Sequence, residues 1–203
     1  MPRTGERGGP QTRARILEAA HWMFLERGYD AVTVADVARE AGVSSVTVFK
    51  HFPRKEDLFL DRADDAIALI HAAVRDRAAG TDAVTALEQT ALRVFEERQP
   101  LSGVDERSLP FFRTVAGSPA LIARAREIRS ELQGVLAEEL AADPDIDVDS
   151  TLLSAFFLAG YSAVLVETAG RVIAGEQPSA LVDDHRARLG RLFAALRTGV
   201  ATQ

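Results

Sequence analysis

The chain has 203 residues, 47% of them apolar and 27% charged, with a net charge of −6. That is enough to bury a sizeable core, at a composition ordinary for a globular protein. There is no cysteine, which excludes disulfides and thiolate metal sites and fits a reducing, cytoplasmic setting. The Gly-, Pro- and Arg-rich start does not read as a signal peptide, and no apolar run reads as long enough to span a membrane.

In chain order, Met1 to Gln11 is an arm carrying Arg3 and Arg7. It reads equally as a phosphate-reaching arm or a solvated tail. A helix follows from a Thr12 N-cap to about Arg27, with Ile16, Leu17, Ala20, Met23 and Phe24 on its apolar face and Gly28 at its end. Trp22 is expected at the edge of that face. Thr33 opens a second helix whose Val34, Val37, Ala38 and Ala41 recur at i, i+3, i+4, i+7. Gly42 can take the positive φ that stops it, and Ser44 can cap the next helix by accepting a backbone N–H. That third helix, about Ser45 to Phe52, has two unlike sides. Val48 and Phe52 fall together and face inward. Ser45, Val46, Phe49 and Lys50 sweep the other side, with Thr47 and His51 at its flank. Helix, Gly-containing turn, helix is a helix-turn-helix. Exposed Val46 and Phe49 are poor choices for a merely solvated face and reasonable against thymine methyls. Residues 1–62 carry 10 Lys+Arg against 9 Asp+Glu, and the remainder 14 against 21. The acidic excess therefore lies away from this element.

These residues resemble the DNA-binding signature of TetR-family transcriptional regulators. The matching positions are Thr33, Ala41, Gly42, Val43, Ser44, Thr47, Val48, Phe49, His51, Phe52, Lys55, Glu56 and Leu58. The resemblance implies base contacts from Ser45, Val46, Thr47, Phe49 and Lys50, and phosphate contacts from Thr33, His51 and Lys55. Phe49 stands where the family usually has a tyrosine whose hydroxyl reaches a phosphate, which implies that this contact is lost here.

Pro53 and Lys55 are expected to start a fourth helix running to about Ala79. Its N-terminus would be an anion site and its length, on the order of 35 Å, a lever between domains. Further helices are expected over Thr81 to Arg98, about Glu106 to Ala116, and from Ser118-Pro119 to the ADPDID turn at Asp143–Asp147. Two long helices close the chain, Asp149 to about Ile173 and Pro178 to about Thr198. The first is apolar nearly all round, which calls for burial on all sides. Either it lies inside one monomer, or a second subunit covers one face in an intersubunit four-helix bundle. The second arrangement is the one the resemblance implies, and it assigns Ala159, Gly160, Ala163, Leu189, Leu192, Phe193 and Leu196 to a dimer interface. A largely apolar effector pocket would draw on Phe95, Phe111, Phe112, Phe156, Phe157 and Tyr161, with Gln89, Arg113, Tyr161 and Glu167 as polar anchors. An aromatic stripe at helical spacing is also how plain core looks.

His21, His51, His71 and His185 are scattered without metal-ligand spacing, and there is no P-loop, dinucleotide fingerprint or nucleophile elbow. No metal site, cofactor or enzymatic activity is expected. The expectation is an all-α chain with a three-helix helix-turn-helix domain at 1–54, followed by a helical effector-binding and dimerisation domain at 55–203. It would act as a dimeric, ligand-responsive repressor on an inverted repeat in double-stranded DNA. The alternative is a helical ligand-binding or scaffold protein whose helix-turn-helix makes protein contacts.

Overall fold

A computed structural model describes residues 9–99, 102–103 and 108–199. The described chain is all-α: α1 Pro10–Arg27, α2 Val34–Glu40, α3 Ser45–His51, a 3-10 turn Glu56–Leu58, α4 Ala63–Arg75, α5 Ala83–Glu96, α6 Ser108–Gly117, α7 Pro119–Ala142, α8 Ser150–Ile173 and α9 Pro178–Gly199. Arg3 and Arg7 of the arm lie outside the described residues. Two compact units divide the chain: residues 1–61 with 116–124, and residues 62–115 with 125–203. The division falls at Asp61–Arg62, seven residues beyond the expected 54/55 boundary. The first unit also takes in the start of α7, which no local sequence signal marks.

In the first unit α1 packs on α2 and on the 3-10 turn, and α2 on α3. Ile16, Ala20, Met23 and Phe24 of α1 meet a core completed by Tyr29, Val32, Val37, Val48, Phe52 and Leu58. Gly9, not Thr12, caps α1: Pro10 occupies the first turn, and Thr12 is buried within the helix. Trp22 is half exposed beneath the Arg27 guanidinium, 5.9 Å from the ring centroid.

The continuous lever helix expected over 53–79 is broken. Leu58 is fully buried, and Phe59 sets its ring 5.8 Å from Phe24 and 5.7 Å from Tyr29. Asp57 accepts from the Arg54 N–H at 3.1 Å and from Arg124 Nε at 2.7 Å. Asp61 lies 3.7 Å from His21. These contacts hold residues 56–61 in the first unit. α4 starts afresh at Ala63 and runs for 13 residues, about 20 Å at the helical rise.

In the second unit α4 packs on α5, α5 on α9 and α8 on α9. Ile70, Val74, Leu87, Leu136, Leu140, Leu153, Phe157 and Phe193 form its main cluster. Ion pairs fasten α4 and the residues after it to the far half of α7 and the residue that follows it: Arg75 with Glu139, which also meets His71 at 3.0 Å, and Arg77 with Asp143. The Arg75 guanidinium holds the Glu139 carboxyl below its ordinary range, and Arg77 does the same to Asp143.

Two expectations about α8 and α9 change. Ser150–Ile173 is, by length and composition, apolar enough to cross a membrane, where no run of that length is expected. It instead buries Leu153, Phe157, Leu158, Val164 and Val172, and its Arg171 pairs with Glu176 and Asp184. In addition, Leu189, Phe193 and Leu196 point into their own chain and are fully or almost fully buried there. Leu192 fills the space that a Cβ at Gly160 would need. These five residues close α8 on α9 within one protomer, with Leu189, Phe193 and Leu196 buried and Gly160 and Leu192 half-buried. What α8 turns outward is a stripe at spacings of four, three, four and three: Leu152 (47% exposed), Phe156 (51%), Ala159, Ala163 and Val166 (71%). α9 turns out the small residues Ala187, Gly190 and Ala194.

Candidate nucleic-acid interface

The α2–α3 element is held by local bonds at both joints. Thr33 and Asp36 form a capping box. The Asp36 N–H donates to Thr33 Oγ1 at 3.1 Å, and the Thr33 N–H donates to Asp36 Oδ2 at 3.1 Å. At the far end Gly42 takes φ +64°, its N–H donates to the Arg39 carbonyl at 3.2 Å, and the Val43 N–H reaches the Ala38 carbonyl at 2.9 Å. This is the Schellman closure, which needs a left-handed residue after the cap. Ser44 then caps α3 by accepting from the Thr47 N–H at 3.1 Å.

With both joints fixed, α3 presents a determined face. Val48 and Phe52 are buried, while Val46 (67% exposed), Phe49 (49%) and Lys50 face out. Ser45, Thr47 and His51 are half-buried at the edges. The inward side chains seat the helix and the outward ones are left for a partner, as the 100° periodicity requires. Arg13 of α1 lies over the Phe52 ring at 4.9 Å and steadies the end of α3.

The expected contact residues are not equally available. The Thr47 hydroxyl lies 2.9 Å from Ser44 Oγ, so it shares a hydrogen bond with the cap. The Thr33 hydroxyl donates its single proton to Asp36 Oδ2 at 2.6 Å. With its N–H also committed, Thr33 has no donor left for a phosphate. That hydrogen bond, more than Arg39, holds the Asp36 carboxyl down at about 2. Lys55 turns inward: its Nζ donates to the Tyr29 carbonyl oxygen at 2.7 Å and sits 4.1 Å from the Tyr29 ring centroid. Burial lowers its pKa, and burial with nearby Glu56 raises that of Tyr29. Lys55 thus clamps the loop after α1. The expected helix N-terminus beside it is only the three-residue 3-10 turn.

The six expected pocket residues do not come together. Phe95, Phe157 and Tyr161 are core: Phe95 stacks on His185 at 5.0 Å, and Phe157 lies 5.8 Å from Tyr161 and 5.9 Å from Phe193. Burial pushes the Tyr161 hydroxyl up to about 12. Phe111 and Phe112 touch each other on α6, with Phe111 exposed, and Phe156 lies on the outward face of α8. Of the expected anchors, Arg113 borders a small cleft with Leu109, Val172 and the turn at 175–178. Glu167 lies 3.8 Å from Arg188. Among the described residues no group of three or more His, Asp or Glu side chains could hold a metal. Sequence reasoning missed the Arg124–Asp57 pair. Its partners are 67 residues apart, and nothing local signals it.

A family model described as bacterial regulatory proteins, tetR family, matches residues 16–61. The chain is 30% identical to the HTH-type transcriptional regulator TcmR of Streptomyces glaucescens over 169 residues, which is 82% of this chain and 73% of that protein. It is also 30% identical to the uncharacterized HTH-type transcriptional regulator YdeS of Bacillus subtilis, over 70% of this chain and 78% of that one. Among solved structures, Thermus thermophilus FadR, a transcriptional repressor in complex with lauroyl-CoA, superposes with a TM-score of 0.60 at 24% identity over 94% of this chain and 96% of that one.

Proposed function

As the chain belongs to the TetR family of bacterial transcriptional regulators, we propose that it is a homodimeric repressor that binds an inverted repeat in double-stranded DNA through α3 and is released by a small, mainly apolar ligand. The observation that carries this reading is the outward face of α3, where Val46, Phe49 and Lys50 are exposed on a helix capped by Ser44 and seated by buried Val48 and Phe52. A rigid seven-residue helix with apolar and cationic groups facing out suits the major groove, with Val46 and Phe49 against thymine methyls and Lys50 at a base edge or phosphate. Ser45 and Thr47 flank that face. His51 completes the phosphate side, where Thr33 and Lys55 are engaged elsewhere.

The apolar stripe of α8 and the small residues of α9 support the dimer. Two copies related by a two-fold axis would bury them together and set two recognition helices about 34 Å apart. The second unit supports effector binding by its separate, largely apolar core. Its structural neighbour in complex with lauroyl-CoA gives an example of a ligand with an acyl chain in this fold.

The test is selection of duplexes from a randomised pool, followed by fluorescence-anisotropy titration at two salt concentrations. Recovery of an inverted repeat bound about a thousandfold more tightly than an unselected duplex is expected. Lys50→Ala is expected to reduce that ratio. Weak, equal binding to every duplex, unchanged by Lys50→Ala, would point to the scaffold alternative.

A further inference from the structure

His185 on α9 is buried in the second unit, with one ring nitrogen answered and the other not. Its Nδ1 lies 2.8 Å from the Thr168 hydroxyl, which lies 3.0 Å from the Val164 carbonyl oxygen. A hydroxyl has one proton and a carbonyl only accepts. Both contacts are hydrogen bonds only when Thr168 donates to Val164 and the His185 Nδ1–H donates to Thr168. That arrangement fixes the tautomer and leaves Nε2 with a bare lone pair. The lone pair is enclosed and meets no donor. Burial lowers the pKa of the ring, and Arg188 adds to this against the opposing pull of Asp184. The ring is therefore neutral near pH 7 and can accept at Nε2.

Around it the interior is apolar. Phe95 stacks on the imidazole with 5° between the planes and packs in turn with Val164 and Leu189. A second polar atom is stranded in the same unit. The Ser102 hydroxyl is buried without a partner. The Ser102 N–H is tied back to Gln99 beyond the end of α5 at 2.8 Å, and a Cβ at Gly103 would lie 2.9 Å from Leu165 of α8. The 164–168 turn of α8 thus meets His185 through Nδ1 and meets Gly103, the residue after Ser102, through Leu165. A buried polar atom without a partner disfavours the closed interior, and a ligand that supplies the missing donor favours an opened one. This is the difference in affinity between two states that a switch requires.

We propose that His185 Nε2 is the hydrogen-bond acceptor for a hydroxyl or N–H group on an otherwise apolar effector. This assignment rests on the effector-binding reading given above. It implies discrimination between two ligands of the same shape that differ only in a donor group.

The test uses the full chain with 2-naphthol and naphthalene as matched probes, read by calorimetry and by the imidazole 15N resonances of His185. The expected result is 2-naphthol binding about tenfold tighter than naphthalene. His185→Phe keeps a flat ring against Phe95, and in it naphthalene binding should persist while the ratio falls to about one. In the wild type the Nε2 resonance should start at its unbonded position and move with 2-naphthol but not with naphthalene, a readout that needs no variant to fold. Equal affinities, a ratio that survives His185→Phe, binding of neither probe, or an Nε2 resonance already bonded and unmoved (a resident water would do this) would each overturn the assignment. If the ratio and the Nε2 shift both hold while 2-naphthol leaves DNA affinity unchanged, the anchor stands and the effector reading falls.

Discussion

Lys55 shows how one side chain can match a family signature and still be spent on the fold. Its ammonium group satisfies the Tyr29 carbonyl oxygen and lies over the ring of the same residue. Lys55→Met keeps the stem and removes the charge, leaving the Tyr29 carbonyl oxygen with only the long 3.4 Å bond from the Val32 N–H. The expected loss is about 1–3 kcal/mol in urea unfolding, with the slope of log K for DNA against log salt unchanged. A slope shallower by about one unit would return Lys55 to the phosphate contacts. Thr33→Ala removes one half of the capping box and should cost about 1 kcal/mol in the same measurement. His185 gives a pH signature. Its pKa is lowered in the folded chain, so the unfolded chain binds the proton more readily. The stability linked to this group is present above about pH 6.5, the ordinary histidine value, and is lost as pH falls below it. Unfolding midpoints measured from pH 8 to pH 5.5 should fall in the wild type, and less steeply in His185→Phe.

Among the elements, α3 was legible in the sequence and α4 was not, for physical reasons that differ. The two faces of α3 follow from periodicity and from caps that lie within four residues of what they cap, so a window of about twenty residues contains every cause. α4 loses nearly three turns at its expected start because Leu58, Phe59 and Asp57 find partners on α1, in the loop after it and on α7, none of which a local window contains. The residues assigned to an interface on α8 and α9 divide between two faces. Gly160, Leu189, Leu192, Phe193 and Leu196 are used within the chain, because α9 turns its large side chains onto one apolar face of α8, while Ala159 and Ala163 lie on the other, outward face. The two faces give opposite predictions. Ala163→Glu and Val166→Asp, on the outward stripe, should turn a dimer into a folded monomer by sedimentation, with thermal unfolding still cooperative. Phe193→Ala, on the inward face, should instead cost about 3–5 kcal/mol of stability in each protomer.

At the level of the whole molecule, the family and the all-α architecture were readable because they rest on the N-terminal signature and on helical periodicity throughout. The details of effector recognition were not. A pocket depends on what remains unfilled after distant helices pack, and periodicity alone does not separate Phe95, Phe157 and Tyr161, which pack inside, from Phe111 and Phe156, which are exposed. The partition of the chain was equally hidden, since residues 116–124 join the first unit from beyond α5 and α6.

That return of the chain bears on how such regulators can be recombined. A cut after Asp61 looks like a natural seam for grafting a foreign sensor onto this DNA reader, or for the same exchange by gene shuffling. It would discard Arg124, the partner of Asp57, and Leu121, which is fully buried. The heritable module is therefore discontinuous: residues 1–61 together with the opening of α7. A sensor that travels to a new reader has to bring a compatible version of that opening with it, so the two halves are expected to change partners less freely than their separate compactness suggests.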